Sequence, residues 1–248
     1  MSGHSKWATI KRKKGATDQA RGKVFSKYIK EITLAARAGA DPNMNPRLRT
    51  AISGAKSVNM PANNIERAIA RGAGLEAGVH FEETQYEGYG PGGVAILVEV
   101  ATDNRNRTAG EIRHTFTKHG AALGEAGSVS YLFKPRGMIL VEKAAMGEDA
   151  IMELALEAGA DDVASEGDTY EIITSPAHLE PVKEALAAKS VPTLSAELTK
   201  IASLLVPVSD KQAEALLKLV DTLEDHDDVQ KVYANFSMSD ELMAKLAR

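Results

Sequence analysis

Six histidines are the first candidates for chemistry: His4, His80, His114, His119, His178 and His226. They are scattered, and no pair has the i, i+4 spacing that sets two imidazoles on one helix face around a metal. Asp225-His226-Asp227-Asp228 has metal-binding residue types, but no glycine turn or spaced ligand series accompanies it. Placed where a helix ends and a strand begins, it reads as a solvated loop. Gly88-Tyr89-Gly90-Pro91-Gly92-Gly93 formally satisfies G-x-G-x-x-G. A dinucleotide fingerprint follows a strand and opens a helix, whereas the β-branched run Val94–Val100 comes next here, and Pro91 removes a backbone donor. The segment reads as a turn or flexible loop feeding a strand, with phosphate contact as the other reading. Ser128 and Ser130 have no patterned base, and there is no Walker A sequence. No catalytic residue, metal or cofactor is expected, and no small-molecule substrate. The chain reads as a non-enzyme.

The residues able to act are instead cationic, and they are concentrated. Residues 1–75 hold 15 Lys and Arg against 4 Asp and Glu. Residues 76–248 hold 15 basic and 30 acidic side chains, so a net charge of −4 conceals a basic arm joined to an acidic body. Clustered Lys and Arg that neutralise phosphates release condensed counterions, which makes a nucleic acid the expected partner. The chain has no cysteine, which removes disulfides and thiolate zinc sites and fits a reducing compartment, the cytoplasm. No apolar run approaches the roughly 20 residues of a membrane span. The N-terminus lacks a secretory apolar stretch. Although it is basic, its lysine-rich run passes directly into a patterned helix, so it is not read as a presequence.

Helical elements must position these cations. Phe25, Tyr28, Ile29, Ile32 and Ala36 recur at helical spacing over residues 18–38, and Gly39 and Pro42 end the pattern. Lys23, Lys27 and Lys30 fall on the opposite face, about 180° away. Asn45 and Pro46 supply an N-cap and a first position for a second helix. That helix turns Leu48, Ala51, Ile52 and Ala55 inward and leaves Arg47, Arg49 and Lys56 outside. A third runs from near Pro61 to Gly72, with Ile65, Ala68 and Ile69 inside and Arg67 and Arg71 outside. Ahead of all three lies an arm containing Lys6, Trp7, Lys11, Arg12, Lys13 and Lys14, expected to order on phosphate. Trp7 either stacks on a base or anchors the arm to its own helices.

From residue 79 the pattern alternates strands and helices. Expected strands are Val94–Val100, Ser128–Phe133, Met138–Glu142, Tyr170–Thr174, a piece near Thr193–Thr199, and Val229–Phe236. Expected helices follow a Thr108/Glu111 capping box and then span Gly147–Ala158, Ala177–Ala188 and Asp210–Leu223. This is an α+β chain with split βαβ, ferredoxin-like modules. The first module has too few strands of its own before residue 137, so it borrows the last helix and strand. The expected organisation is a basic helical domain (1–78), a discontinuous α+β domain (79–134 and 205–248) and an inserted α+β domain (135–204). The polar loop Thr102–Thr108, with Asn104, Arg105, Asn106 and Arg107, is suited to anions or base edges, or is a plain connection with a cap. Tyr89 is a further candidate loop contact.

The motifs Gly3-His4-Ser5-Lys6-Trp7, Asn59-Met60-Pro61, Asn64–Ile69, Tyr86–Gly93, Thr102-Asp103-Asn104, Asn106-Arg107-Thr108, Gly127-Ser128-Val129 and Asp227–Gln230 resemble the YebC family, which includes mitochondrial translational activators of cytochrome c oxidase. The likeness runs in order from residue 3 to about 236. It implies a basic helical first domain and two α+β domains, the third inserted in the second, and no established catalytic residues. It implies DNA binding and gene regulation in one line of assignment, and ribosome or RNA association with relief of stalled translation in another. The expected phosphate contacts are Lys6, Lys11–Lys14, Lys23, Lys27, Lys30, Arg47, Arg49, Arg67 and Arg71.

Overall fold

The structure is a computed structural model, and it describes residues 18–239 and Leu242. Two compact units form: one takes the chain up to Leu132 together with the part from Ala202 onward, the other Phe133–Ile201.

The larger unit opens with three helices, α1 (Asp18–Ala36), α2 (Pro46–Ser57) and α3 (Ala62–Gly72). Their apolar positions meet in one cluster around Ile32, Leu48, Ala55, Ile65 and Ala68. Asn45 fixes the α1–α2 corner. Its Oδ1 accepts the Leu48 N–H at 3.1 Å, capping α2, while its Nδ2 donates to the Ala35 and Gly39 carbonyls, both at 2.8 Å. Gly72 lets α3 lie against α1, since a Cβ there would run into the Thr33 carbonyl.

Strands β1 (Glu82–Tyr89), β2 (Ala95–Thr102), β3 (Ala122–Leu123) and β9 (Val229–Ala234) make an antiparallel sheet ordered β3-β1-β2-β9. Helices α4 (Arg105–Lys118) and α7 (Asp210–Glu224) pack on it, with Ile112, Phe116, Leu216 and Val220 against Val94, Ile96, Val98, Val100 and Val232. The last helix and strand thus complete the first sheet. Alternate residues of β2 carry this core, as a strand's two-residue period requires. Gly92 (φ 79°) and Gly93 (φ 75°) take the left-handed backbone of the β1–β2 turn, where any side chain would be strained. The G-x-G-x-x-G stretch is therefore a hairpin connection. A parallel pair, β8 (Val206–Pro207) and β10 (Phe236–Ser237), adjoins it through Asn235, which accepts the Ala95 N–H and donates to the Leu204 carbonyl.

The smaller unit holds β4 (Phe133–Glu142), α5 (Glu148–Glu157), β5 (Ala160–Glu166), β6 (Thr169–Thr174), α6 (Leu179–Ala188) and β7 (Thr193–Ala202). Its sheet order, β5-β6-β4-β7, is that of the split βαβ module. Ile139, Val141, Ile151, Ile172, Val182 and Leu186 form its core.

Three expectations change. The run Ser128–Phe133 is not a strand: it is a loop with a short 3-10 turn at Ser130–Leu132, and β4 begins at Phe133. The cause is Glu87, a buried residue of β1 whose carboxylate accepts the N–H groups of Gly127 (2.8 Å), Val129 (2.7 Å) and Ser130 (2.8 Å). Those donors are then lost to any neighbouring strand. Helix α4 starts at Arg105 with Asn104 as its cap, not at Thr108. Finally, β1 and β5 are strands that periodicity does not announce.

Candidate nucleic-acid interface

The lysine face of α1 exists as its spacing demands, but it is turned toward the protein's own body. Lys27 Nζ donates to the Glu224 carbonyl at 2.8 Å, Lys23 Nζ to that of Asp225 at 3.1 Å, and Lys30 Nζ to those of Asp227 (2.9 Å) and Ala101 (3.2 Å). Those of Glu224, Asp225 and Asp227 end α7 and lead into β9. A helix C-terminus carries partial negative charge and unpaired carbonyls, and α7 has no basic residue in its own last turn. The i, i+4, i+7 lysines of α1 supply the missing cations.

Below them lies Asp228, only 5% exposed. Its Oδ1 accepts from Lys30 Nζ at 2.7 Å, and its Oδ2 from Arg107 Nη2 (2.7 Å), Thr108 Oγ1 (2.7 Å) and Thr102 Oγ1 (3.1 Å). Burial alone would push this carboxyl up. The bonds from Lys30, Thr108 and Arg107 outweigh burial and hold it well below the usual carboxylate range. The Asp225–Asp228 stretch is a loop with Asp225 and Asp227 exposed, but its last member is buried and joins α1, β2, α4 and β9.

Glu111, His226 and Asp228 bring ligand-type atoms within 4.8 Å of one another. The donor chemistry does not suit a cation. Both Asp228 oxygens are occupied, by Lys30 and Arg107 among others. His226 Nδ1 accepts the Asp228 N–H at 3.1 Å, so the ring proton sits on Nε2, which donates to Glu111 at 2.9 Å. The cluster is an ion network satisfied from within.

Arg47 is also engaged. It makes paired bonds to Glu31 (2.9 and 3.3 Å) and reaches Glu83 on β1. The bond to Glu83, opposed by desolvation and aided by Glu31, raises its pKa further above that of a free guanidinium. Of the other cations of α2 and α3, Arg49, Lys56 and Arg67 face outward. Arg49 is exposed and, among the described residues, bonds only to the Pro42 and Asn43 carbonyls. Lys56, two turns on along the same face, is exposed, as is Arg67, while Arg71 is half-buried. Lys6, Lys11, Arg12, Lys13 and Lys14 lie outside the described residues, as does Trp7.

The loop candidates divide in the same way. Asn104 accepts the Arg107 N–H as the α4 cap, and Arg107 is held by Asp228 and Asp103 (2.9 Å). Arg105 and Asn106 are exposed, Arg105 standing 3.5 Å from Thr84 Oγ1. Tyr89, 43% exposed, donates to the Ser128 carbonyl at 3.1 Å. Asp228 and Glu87, which organise this region, find partners far away in the chain; they fall within the motifs Asp227–Gln230 and Tyr86–Gly93, which give no sign of those partners. Among the described residues, no helix is long and apolar enough to cross a membrane.

Residues 5–75 fit the family described as TACO1/YebC protein N-terminal domain, and residues 81–236 fit TACO1/YebC second and third domain. A probable transcriptional regulatory protein of Geobacter sulfurreducens is 58% identical, covering 99% of this chain and all of that one. Another of that name, from Dictyoglomus thermophilum, is 55% identical over the full length of both. The crystal structure of a conserved hypothetical protein from Aquifex aeolicus superposes with a TM-score of 0.82 at 49% identity, covering 90% of this chain and 93% of that one. This chain belongs to the TACO1/YebC family.

Proposed function

We propose that this protein is a non-enzymatic, cytoplasmic nucleic-acid-binding regulator of gene expression that grips phosphates with its basic N-terminal part. One observation carries the reading: 15 cations stand against 4 acids over positions 1–75, while the rest of the chain is acidic. Once Lys23, Lys27, Lys30 and Arg47 are assigned to contacts within the protein, the outward cations of α2 and α3 remain, with the arm ahead of them. The names of the relatives from Geobacter and Dictyoglomus support regulation of transcription, and so DNA, as the first reading. Phosphate contacts position a protein without reading sequence, so ribosomal RNA would be held by the same groups. The second reading is a translation factor on the ribosome, as the likeness to translational activators implies.

Neutralising Lys11, Lys13 and Lys14 together to Gln tests the grip. Binding to labelled duplex DNA and to a ribosomal RNA fragment is measured by fluorescence anisotropy over a salt series. Losing three phosphate contacts on duplex lowers the slope of log affinity against log salt by about 0.9 each, so by about 2.7 in all. An unchanged slope and affinity refutes the role of the arm. Co-sedimentation with ribosomes against retention on random duplex at physiological salt separates translation from transcription.

A further inference from the structure

The far ends of α1 and α3 enclose a recess of about 280 Å³, lined by Thr33, Arg37, Arg71, Gly74, Glu76 and His80 among others. Arg71, on the wall of this recess, and Arg67 face one carboxylate. That carboxylate does not satisfy them: Glu76 Oε2 stands 3.9 Å from Arg71 Nε and 3.9 Å from Arg67 Nε, beyond hydrogen-bond distance. Arg71 Nε is shut off from solvent and has no hydrogen-bond partner among the described residues. Arg37 Nη2 lies 3.2 Å from His80 Nδ1. A guanidinium can only donate, so Nδ1 accepts, and the imidazole keeps its proton on Nε2 as a further donor.

Helix dipoles explain part of this arrangement. Arg37 follows the last residue of α1, and Arg71 lies in the last turn of α3, where cations offset partial negative charge. They do not explain the orphaned Nε. The Arg71 side chain is 34% exposed, so the rest of its guanidinium is open to an anion with several acceptor oxygens.

We propose that the recess takes one phosphate group of a nucleic-acid backbone, with Arg37, Arg71 and the His80 Nε2–H as donors and Glu76 giving way to it. The assignment rests on the nucleic-acid reading above and adds to it a defined pocket, two donors outside the basic faces of α2 and α3, and a resident competitor.

The test uses the full chain, labelled duplex DNA and ribosomal RNA, and a salt series. Glu76→Gln removes the competitor at an exposed position and should tighten binding about threefold. Arg71→Gln should weaken binding about five- to tenfold and reduce the duplex salt slope by about 0.9, the value of one phosphate. Arg37→Gln should act in the same direction, with circular dichroism confirming that each variant is folded. If the wild type binds and all three variants match it in affinity and slope, the pocket assignment is overturned while the function stands. If the wild type binds neither polymer at low salt, both fall. A parallel arm titrates millimolar inorganic phosphate and follows the His80 ring signals by NMR. A phosphate response lost in Arg71→Gln, with nucleic-acid affinity untouched by that variant, would make the ligand a free phosphate and overturn the backbone assignment.

Discussion

Replacing Asp228 with Ala should strongly destabilise the larger unit. The carboxylate is 5% exposed, and the Lys30 side chain that meets it at 2.7 Å is 12% exposed. Removing one partner of a buried pair leaves the other charge uncompensated, a loss of about 3–5 kcal/mol. Arg107 adds little to that figure, because its exposed guanidinium can turn to water. Thr102 and Thr108 keep their mutual bond at 2.8 Å, so the cost falls mainly on Lys30. At about 2–4 °C per kcal/mol for a unit of this size, Tm should fall by roughly 10 °C. Calorimetry and urea titration at pH 7 measure it. Lys30→Met should cost less, since Arg107, Thr108 and Thr102 still hold the Asp228 Oδ2. The double variant should cost well under the sum, with a coupling of about 1–3 kcal/mol. Additive losses, or a Tm shift under about 2 °C for Asp228→Ala, would refute the reading of this pair as the junction between α1 and the sheet.

Two further outcomes follow from buried polar groups. Burial would raise the Glu87 carboxyl, but three backbone N–H donors outweigh it and lower its pKa. A lowered native pKa means stability that is present above the unfolded value, about 4.3, and lost as pH falls below it. Glu87→Gln should therefore cost about 2 kcal/mol at pH 7, the gap to wild type narrowing below about pH 4 in urea titrations; a constant gap from pH 7 to pH 3 would contradict this. Asn45→Ala removes the α2 cap and strands two carbonyls, so it should cost about 2–3 kcal/mol. Asn45→Asp keeps the cap and recovers only part of the loss, and full recovery in denaturant titration would show that the amide donor does nothing.

Local chemistry was legible in the sequence and distant pairing was not. Asn45 and Pro46 mark the start of α2 because a cap and its helix are adjacent in the chain. The cores of α7 and β2 are marked by Leu216, Val220 and the Val94–Val100 run. The strand β1, with three glutamates and a glutamine among its eight residues, shows no apolar alternation because pairing between β2 and β3 holds it. β5, an edge strand carrying Asp161, Asp162 and Glu166, is hidden because pairing with β6 alone holds it. Ser128–Phe133 has strand-like residues, yet Glu87, on a strand well upstream, takes its donors. The lysines of α1 have the spacing of a phosphate-binding face, and the same spacing serves to cap a helix near the opposite end of the chain.

That separation orders the birth of the molecule. Lys23 meets Asp225 across 202 residues, so at about 5–20 residues per second the ribosome exposes α1 roughly ten to forty seconds before the carbonyls that receive it. Phe133–Ile201 is contiguous and can close while the first sheet still awaits its outer strand. During that interval the front of the nascent chain is a bare polycation beside the most abundant RNA in the cell, and arrival of the C-terminal segment withdraws three of its charges.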